Sequence, residues 1–534
     1  MENAINIAWD HTSPPDIKQQ ALNFIHQLRT DPASWQVCLP LFVQERQPPD
    51  TTRHFLLDAL NNSIKSEQVD NQSRVYMKET LWTCVQKKYS TGASQEGADS
   101  LVIRNKLTQT LTFLFATLYG QGWDSFFDDF LALAGKGSLG QSNISGTALY
   151  LRTLESIHDE IADVMIPRTP EEAKRNTELK DMVRARDAQK VSLSWQEILA
   201  NWRSIDLNLV NTCLKVLGKW VSWVDISLVV TDTVLQPLLD MAGQQGLKDH
   251  SGLEVKVRDA AIDAISETAA KKMLPPAKVE LLEYLNLSTV VGQLIASPPL
   301  SELKGTPDYD VDLAETVAKL VNNVMLDVVI VLDTNGVDEQ TRSKADALLH
   351  VFVPYVLHFF SDEYDEVCST VMDSLTALLT YFRKFTKKDS LPQQYTTTLA
   401  PILNAVIKKM EYDETATWGD EDEEADEAEF LELRKRLHVL QQIIAAIDEQ
   451  LYMDTLTNLV AGTLSKLGEN INQINWRELD LALYEMYLFG DLASKNRGLY
   501  AKREPSSVAA SRLVEMMTRM MESSEFWIAS MQCT

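Results

Sequence analysis

The sequence predicts an all-α protein, an α-α superhelix of stacked helical pairs. Three observations lead there. Helical periodicity runs through nearly every window, one helical phrase recurs along the chain, and turn formers are scarce, with 20 Gly and 18 Pro in 534 residues. An all-β chain of this length would need far more of them.

The periodicity is plainest in EVKVRDAAIDAISE, Glu254–Glu267, where Val257, Ala261, Ile262 and Ile265 share one face and charges take the other. Its small residues allow a partner helix to approach closely. The phrase returns near Ile17, Phe55, Ile103, Tyr150, Val210, Val257, Val317 and Val367. Successive spacings are 38, 48, 47, 60, 47, 60 and 50 residues. Periods of about 40–47 residues mark HEAT or armadillo arrays, in which no repeat buries its apolar face alone. The fold expected is a HEAT-repeat solenoid. Each 60-residue interval holds an insertion, at Arg168–Lys190 and at Ser297–Asp310. Pro354 inside an apolar helix fits the first helix of a repeat.

Composition bounds the function. Hydrophobic residues make up 45% of the chain, enough for a continuous core, and the net charge is −26. A general nucleic-acid coat would be basic, so RNA binding here requires local basic patches. The five cysteines are scattered without a CxxC, which fits a reducing compartment. The N-terminus lacks a secretory pattern, and apolar runs such as Val328–Leu332 fall far short of the ~20 residues of a membrane span. The expectation is cytosol or nucleus, with no membrane insertion.

Catalytic motifs are missing: no phosphate loop, no GxGxxG after a strand, no GxSxG elbow and no HExxH. No catalytic residue, metal site or cofactor is expected. His350 and His358 lack companion ligands, and Leu133–Gly146 reads as a plain flexible loop. Trp195, Trp202, Trp220 and Trp223 recur at helical spacing and are expected to pack in the core rather than stack on bases.

Charge clusters remain. Arg168–Lys190 carries seven basic residues, among them Lys174, Arg175, Lys180, Arg184 and Arg186, but five acids reduce its net charge to +2. Arg383, Lys384, Lys387 and Lys388 form an acid-free cluster beside Tyr381, Phe382 and Phe385. Asp420–Glu429 has eight acids in ten residues and is expected to be a solvated loop between helices.

Particular strings resemble a known family. They are ALNFIHQLRTDPASWQVC (Ala21–Cys38), IRNKLTQTLTFLFATLYGQGW (Ile103–Trp123), EEAKRNTELKDMVRARD with SWQEIL, CLKVLGKWVSWVDISLV (Cys213–Val229), and the run from KKMEYDE into DEAEFLELRKRL (Lys408–Arg436). In that order they resemble the tRNA exportins, exportin-t, of the importin-β-like karyopherins. The resemblance implies a receptor that binds tRNA cooperatively with Ran in its GTP form, meets nuclear pore proteins, shuttles between nucleus and cytoplasm, and releases its cargo after GTP hydrolysis. A HEAT karyopherin for protein cargo and a static HEAT scaffold are the alternatives.

By the same resemblance, residues 1–240 are the Ran-clasping N-terminal repeats. Residues 241–534 hold further repeats with an acidic loop at 413–429. Arg104, Asn105 and Lys106 match a motif in the Ran-embracing region, and Asp420, Glu421 and Asp422 are candidates for an arm against Ran's basic surface. Lys174, Arg175, Lys180, Arg184 and Arg186, with Arg383, Lys384, Lys387 and Lys388, are candidate tRNA phosphate contacts on charge alone. Family members are about twice this length, so the C-terminal arch is expected to be absent. The likeness is expected to end near Ser523, before EFWIASMQCT.

Overall fold

A computed structural model of the chain describes residues 1–10, 12–90, 99–135, 143–243, 252–386, 391–414, 424–469, 474–493 and 507–522. Among the described residues there are twenty-four α-helices and no strand. The chain divides into two compact units, Met1–Lys272 and Met273–Thr534.

The first unit is a two-layer stack. Its front layer comprises α2 (Pro15–Thr30), α4 (Asp50–Lys65), α6 (Leu101–Leu118), α8 (Ile144–Ile161), α11 (Leu207–Val221) and α13 (Leu253–Ala269), each packed on the next. Behind them lie α3 (Trp35–Val43), α5 (Asn71–Tyr89), α7 (Phe126–Ala134), α10 (Ala188–Asn201) and α12 (Asp232–Ala242), while α1 (Glu2–Trp9) covers α2 and α4. The first six occurrences of the phrase therefore supply the six front-layer helices. Small residues set the tightest approach: a β-carbon on Gly218 of α11 would lie 3.5 Å from the Ala264 Cα on α13. Trp195, Trp202, Trp220 and Trp223 are all buried, as expected. Trp195 and Trp223 both pack against Trp220, with ring centroids 5.9 and 4.5 Å away.

The first insertion forms a helix, α9 (Pro170–Arg186). Thr169 opens it with a capping box: its hydroxyl accepts from the Glu172 N–H at 3.2 Å, and Glu172 accepts from the Thr169 N–H at 2.9 Å. Asn176 and Leu179 anchor α9, which packs on α8 and α10.

The second unit begins with α14 (Pro275–Leu285) and α15 (Leu287–Ile295). One layer follows through α16 (Val311–Asp333), α18 (Asp365–Thr370), α19 (Met372–Thr386) and α21 (Glu424–Ile447). The other runs through α17 (Glu339–Phe360), α20 (Gln393–Lys409), α22 (Glu449–Glu469) and α24 (Ser507–Glu522), with α23 (Trp476–Ala493) against α22 and α24. The second insertion is a run of turns tied down at Tyr309, whose hydroxyl donates to the buried Asp362 at 2.8 Å.

The acidic run departs from its expected form. Residues 424–429 belong to α21 rather than to a loop. Carboxylates in the opening turns of a helix oppose the positive end of its dipole, so a charge run can begin a helix while staying solvated. Glu427 and Glu429 are indeed exposed.

Two buried ionisable side chains mark the core of the second unit. Arg434 donates to the Met410 carbonyl at 2.9 Å and to Asp480 at 2.5 Å. The rings of Tyr412, Phe430 and Tyr484 surround its guanidinium at 4.5, 4.8 and 4.5 Å. Glu485 of α23 is fully buried and accepts from Gln441 of α21 at 2.6 Å, and its second oxygen has no hydrogen-bond partner among the described residues. Burial pushes the Glu485 carboxyl up to about 7, against the smaller opposing effects of Gln441 and Arg434.

Candidate partner-binding surface

Polar rungs join neighbouring front-layer helices of the first unit. Asp58 of α4 accepts from Arg29 of α2 and from Lys106 of α6, both at 2.7 Å. Asn61 donates to Gln109 at 3.2 Å and Thr112 to Ser156 at 2.9 Å. Arg152 of α8 donates to Asn105 at 2.8 Å, and Lys219 of α11 reaches Glu155 and Asp159 at 2.9 and 3.1 Å. Ahead of α6, the buried Asp99 accepts from Arg53 at 2.5 Å, from Tyr89 at 2.9 Å and from Lys88. Burial alone would raise the Asp99 pKa, but Lys88 and Arg53 outweigh it and hold the carboxyl below its ordinary value.

Between α4, α6 and α8 these rungs leave a cleft of about 650 Å³, lined by Lys65, Val102, Asn105, Phe113, Ile166 and Arg168 among others. The Lys65 ammonium rests 3.6 Å from the Phe113 ring centroid and pairs with no carboxylate among the described residues. Burial lowers its pKa. Val102 and Ile166 line the cleft while remaining exposed, and Leu101, Val164 and Met165, at 52, 92 and 83% exposure, are their chain neighbours. A cation on an aromatic ring beside exposed aliphatic side chains suits a protein surface bearing both carboxylates and apolar groups.

Asn105 and Lys106 line this cleft. Lys106 is committed to Asp58, and Asn105 is exposed and holds Arg152. Arg104 is half-buried, and its Nε finds no hydrogen-bond partner among the described residues. Burial, then the charge of Arg104, lowers the Arg152 pKa. Lys65 and Arg152 had no place among the sequence candidates.

The other candidates are scattered. Asp420, Glu421, Asp422, Lys387 and Lys388 lie outside the described residues. On α9, Arg175 pairs with Glu160 at 3.2 Å and Arg186 with Asp124 at 3.0 Å. Arg184 holds Asp181 and the Trp223 carbonyl, both at 2.6 Å. Lys174 is exposed, Lys180 is half-buried, and neither has an ion pair among the described residues. Lys384 pairs with Asp333 at 2.5 Å, and the half-buried Arg383 sits in the last turn of α19. Among the described residues no group of three or more His, Cys, Asp and Glu side chains is placed to hold a metal ion, and no helix is long and apolar enough to cross a membrane.

Comparison with known proteins matches the Exportin-T family model to residues 339–532 and the Exportin 1-like family model to residues 100–264. Exportin-T of Phaeosphaeria nodorum is 54% identical over 525 residues, covering 98% of this chain and 50% of the relative. Exportin-T of Chaetomium globosum is 51% identical over 523 residues, covering 98% and 50%. The chain belongs to the exportin-T family. It spans about half the length of the curated relatives it matches. The Exportin-T match runs to residue 532, so the likeness expected to end near Ser523 continues beyond it. Solved structures share the fold at 13% identity. Importin13 in its cytosolic state has a TM-score of 0.54 over 85% of this chain and 53% of its own. A Kap95p complex, in which the switch loops of RanGDP adopt the GTP-bound conformation, has a TM-score of 0.50 over 99% and 55%. The shared fold is the HEAT-repeat solenoid that the repeat spacing predicts.

Proposed function

We propose that this exportin-T chain is part of a nuclear export receptor that carries tRNA together with Ran in its GTP form, moves through nuclear pores by contact with pore proteins, and releases its cargo in the cytoplasm. It works by binding, without catalysis. The observation that carries this reading is the 54% identity to an Exportin-T across 98% of the chain. The Kap95p complex with Ran, on the same fold, supports Ran as a partner. In the first unit the cleft between α4, α6 and α8, lined by Asn105 and Lys106 with Arg104 next to them in the chain, is the surface for Ran. Its exposed aliphatic rim, with Lys65 free of a carboxylate partner among the described residues, favours a protein there over RNA.

Phosphate contacts fall to cations without an acidic partner among the described residues, Lys174, Lys180 and Arg383. A Lys or Arg already neutralised by an internal carboxylate gains less from a phosphate. The acidic run ahead of α21 is the arm toward a basic partner surface.

The decisive measurement is linkage. Ran-GTP is expected to tighten tRNA binding, and tRNA to tighten Ran-GTP binding by the same factor. No affinity for Ran-GTP with tRNA present or absent would sink this reading in favour of a static scaffold. Neutralising Lys174, Lys180 and Arg383 is expected to flatten the salt dependence of tRNA binding, and an unchanged slope removes them from the site.

A further inference from the structure

The turn between α8 and α9 carries a hydroxyl, that of Thr169, which the receptor reading does not use. The sequence contains four Ser-Pro or Thr-Pro steps, at Ser13, Thr169, Ser297 and Thr306. Three of the hydroxyls are already committed as donors. Ser13 donates to Asp10 at 2.9 Å, the buried Ser297 to the Leu294 carbonyl at 2.5 Å, and the half-buried Thr306 to the Leu303 carbonyl at 2.6 Å. Thr169 differs. It is exposed, its backbone is extended at φ −67 and ψ 159, and among the described residues its hydroxyl only accepts, from the Glu172 N–H. The segment before it, Val164–Pro167, is non-helical and exposed. An enzyme could grasp this stretch without unfolding a helix.

The surroundings are matched to a phosphate. Arg168 precedes Thr169, and Arg175 lies one and a half turns into α9. Both point their guanidiniums to one carboxylate, Glu160, at 3.7 and 3.2 Å. Two arginines share a single negative charge. The Lys65 ammonium has no carboxylate partner among the described residues, and it feels the charges of Glu160, Arg175, Glu172 and Arg168. Lys65, Glu160 and Arg168 line the same cleft, and Glu172, which pairs with Thr169 in the capping box, acts on the Lys65 charge.

We propose that Thr169 is the acceptor for a proline-directed protein kinase, and that the phosphate formed there is held by Arg168, Arg175 and Lys65 at the rim of the α4–α6–α8 cleft. In the reaction the Thr169 Oγ1 forms a bond to the γ-phosphorus of ATP, the bond from that phosphorus to the bridging β–γ oxygen breaks, ADP leaves, and the hydroxyl proton passes to the kinase base. The product adds a charge of about −1.5 to −2 and three acceptor oxygens. It keeps the N-terminal N–H groups of α9 as donors, repels Glu172 from the cap, and competes with Glu160 for the arginines. Lys65 would leave the Phe113 ring for the phosphate, which changes the charge of the cleft and draws α4 toward the α8–α9 turn. The inference stands whether or not the receptor reading holds.

The test uses the purified chain with ATP and a proline-directed kinase, with phosphosites mapped by mass spectrometry. Phosphate is expected at Thr169 in preference to Ser13, Ser297 and Thr306. It should be lost in Thr169→Val and strongly reduced in Pro170→Ala. An unmodified Thr169, under conditions where the kinase modifies a Thr-Pro control peptide, overturns the assignment. A 31P titration of the phosphorylated chain then tests the clasp. The second ionisation is expected well below the ~6 of a free phosphothreonine, and to move back toward it in Lys65→Met and in Arg175→Gln. Identical titrations in the three proteins would overturn the proposed clasp even if Thr169 is modified.

Discussion

Asp99 in the first unit and Glu485 in the second are both buried carboxylates, and their pKa values move in opposite directions. Desolvation acts on both and raises both. Asp99 receives two cationic donors and a phenol, and the two cations, Lys88 and Arg53, reverse the effect of burial. Glu485 receives one amide and keeps an oxygen without a hydrogen-bond partner among the described residues, so burial wins. The donors, not the depth, decide whether a buried acid is a charged anchor or a neutral one.

The comparison breaks most forcefully at Asp99. Replacing it by Asn leaves Arg53, whose side chain is 6% exposed, without its buried counter-charge. A loss of about 3–5 kcal/mol in urea unfolding is expected, the cost of breaking a buried pair from one side. A loss below about 1 kcal/mol would mean that the cations reach solvent and that Asp99 is no anchor.

Glu485 sharpens the contrast through pH. Its carboxyl lies near 7 in the fold against an ordinary value of 4.5. Between these values the unfolded chain has released a proton that the native state keeps, so stability falls as pH rises through that window and levels off above 7. The separation of about 2.5 pH units corresponds to about 3 kcal/mol. Glu485→Gln is expected to remove this slope and to exceed the parent's stability at pH 8, with urea midpoints at pH 5 and pH 8 as the check. Asp99 contributes the opposite slope, because its stabilisation is present above 3.8 and lost as pH falls through its lower folded value.

The smallest effect is expected at Lys384, paired with Asp333 while both side chains are about half exposed. Lys384→Ala should cost less than about 1 kcal/mol by thermal or urea unfolding. A larger loss would show that pairing matters regardless of burial.

Much of the stack was legible in the sequence because the repeat period dictates which helices are neighbours. Asp58 and Lys106 stand 48 residues apart, as do Asn61 and Gln109, and Asn105 and Arg152 stand 47 apart. The period that named the helices could therefore have named their rungs, and Lys65 over Phe113 obeys it too. Other features were hidden for physical reasons. The pairing of Arg186 in the first insertion is invisible in the sequence because its acid, Asp124, comes from an element 62 residues away. The helix within that insertion was encoded locally by Thr169 and Glu172, a capping pair overshadowed by the surrounding charge. The acidic run shows only its charge in the sequence, which says where a segment meets water but not whether its backbone coils.

Asp58 gives the stack a mechanical property. One carboxylate is gripped by Arg29 on one side and Lys106 on the other, so α4 acts as an axle shared by its two neighbours. Any partner that tilts α6 pulls on the same oxygen pair that restrains α2. Lengthening the axle by a single methylene, as Asp58→Glu does, would alter the pitch between the first repeats while conserving every charge.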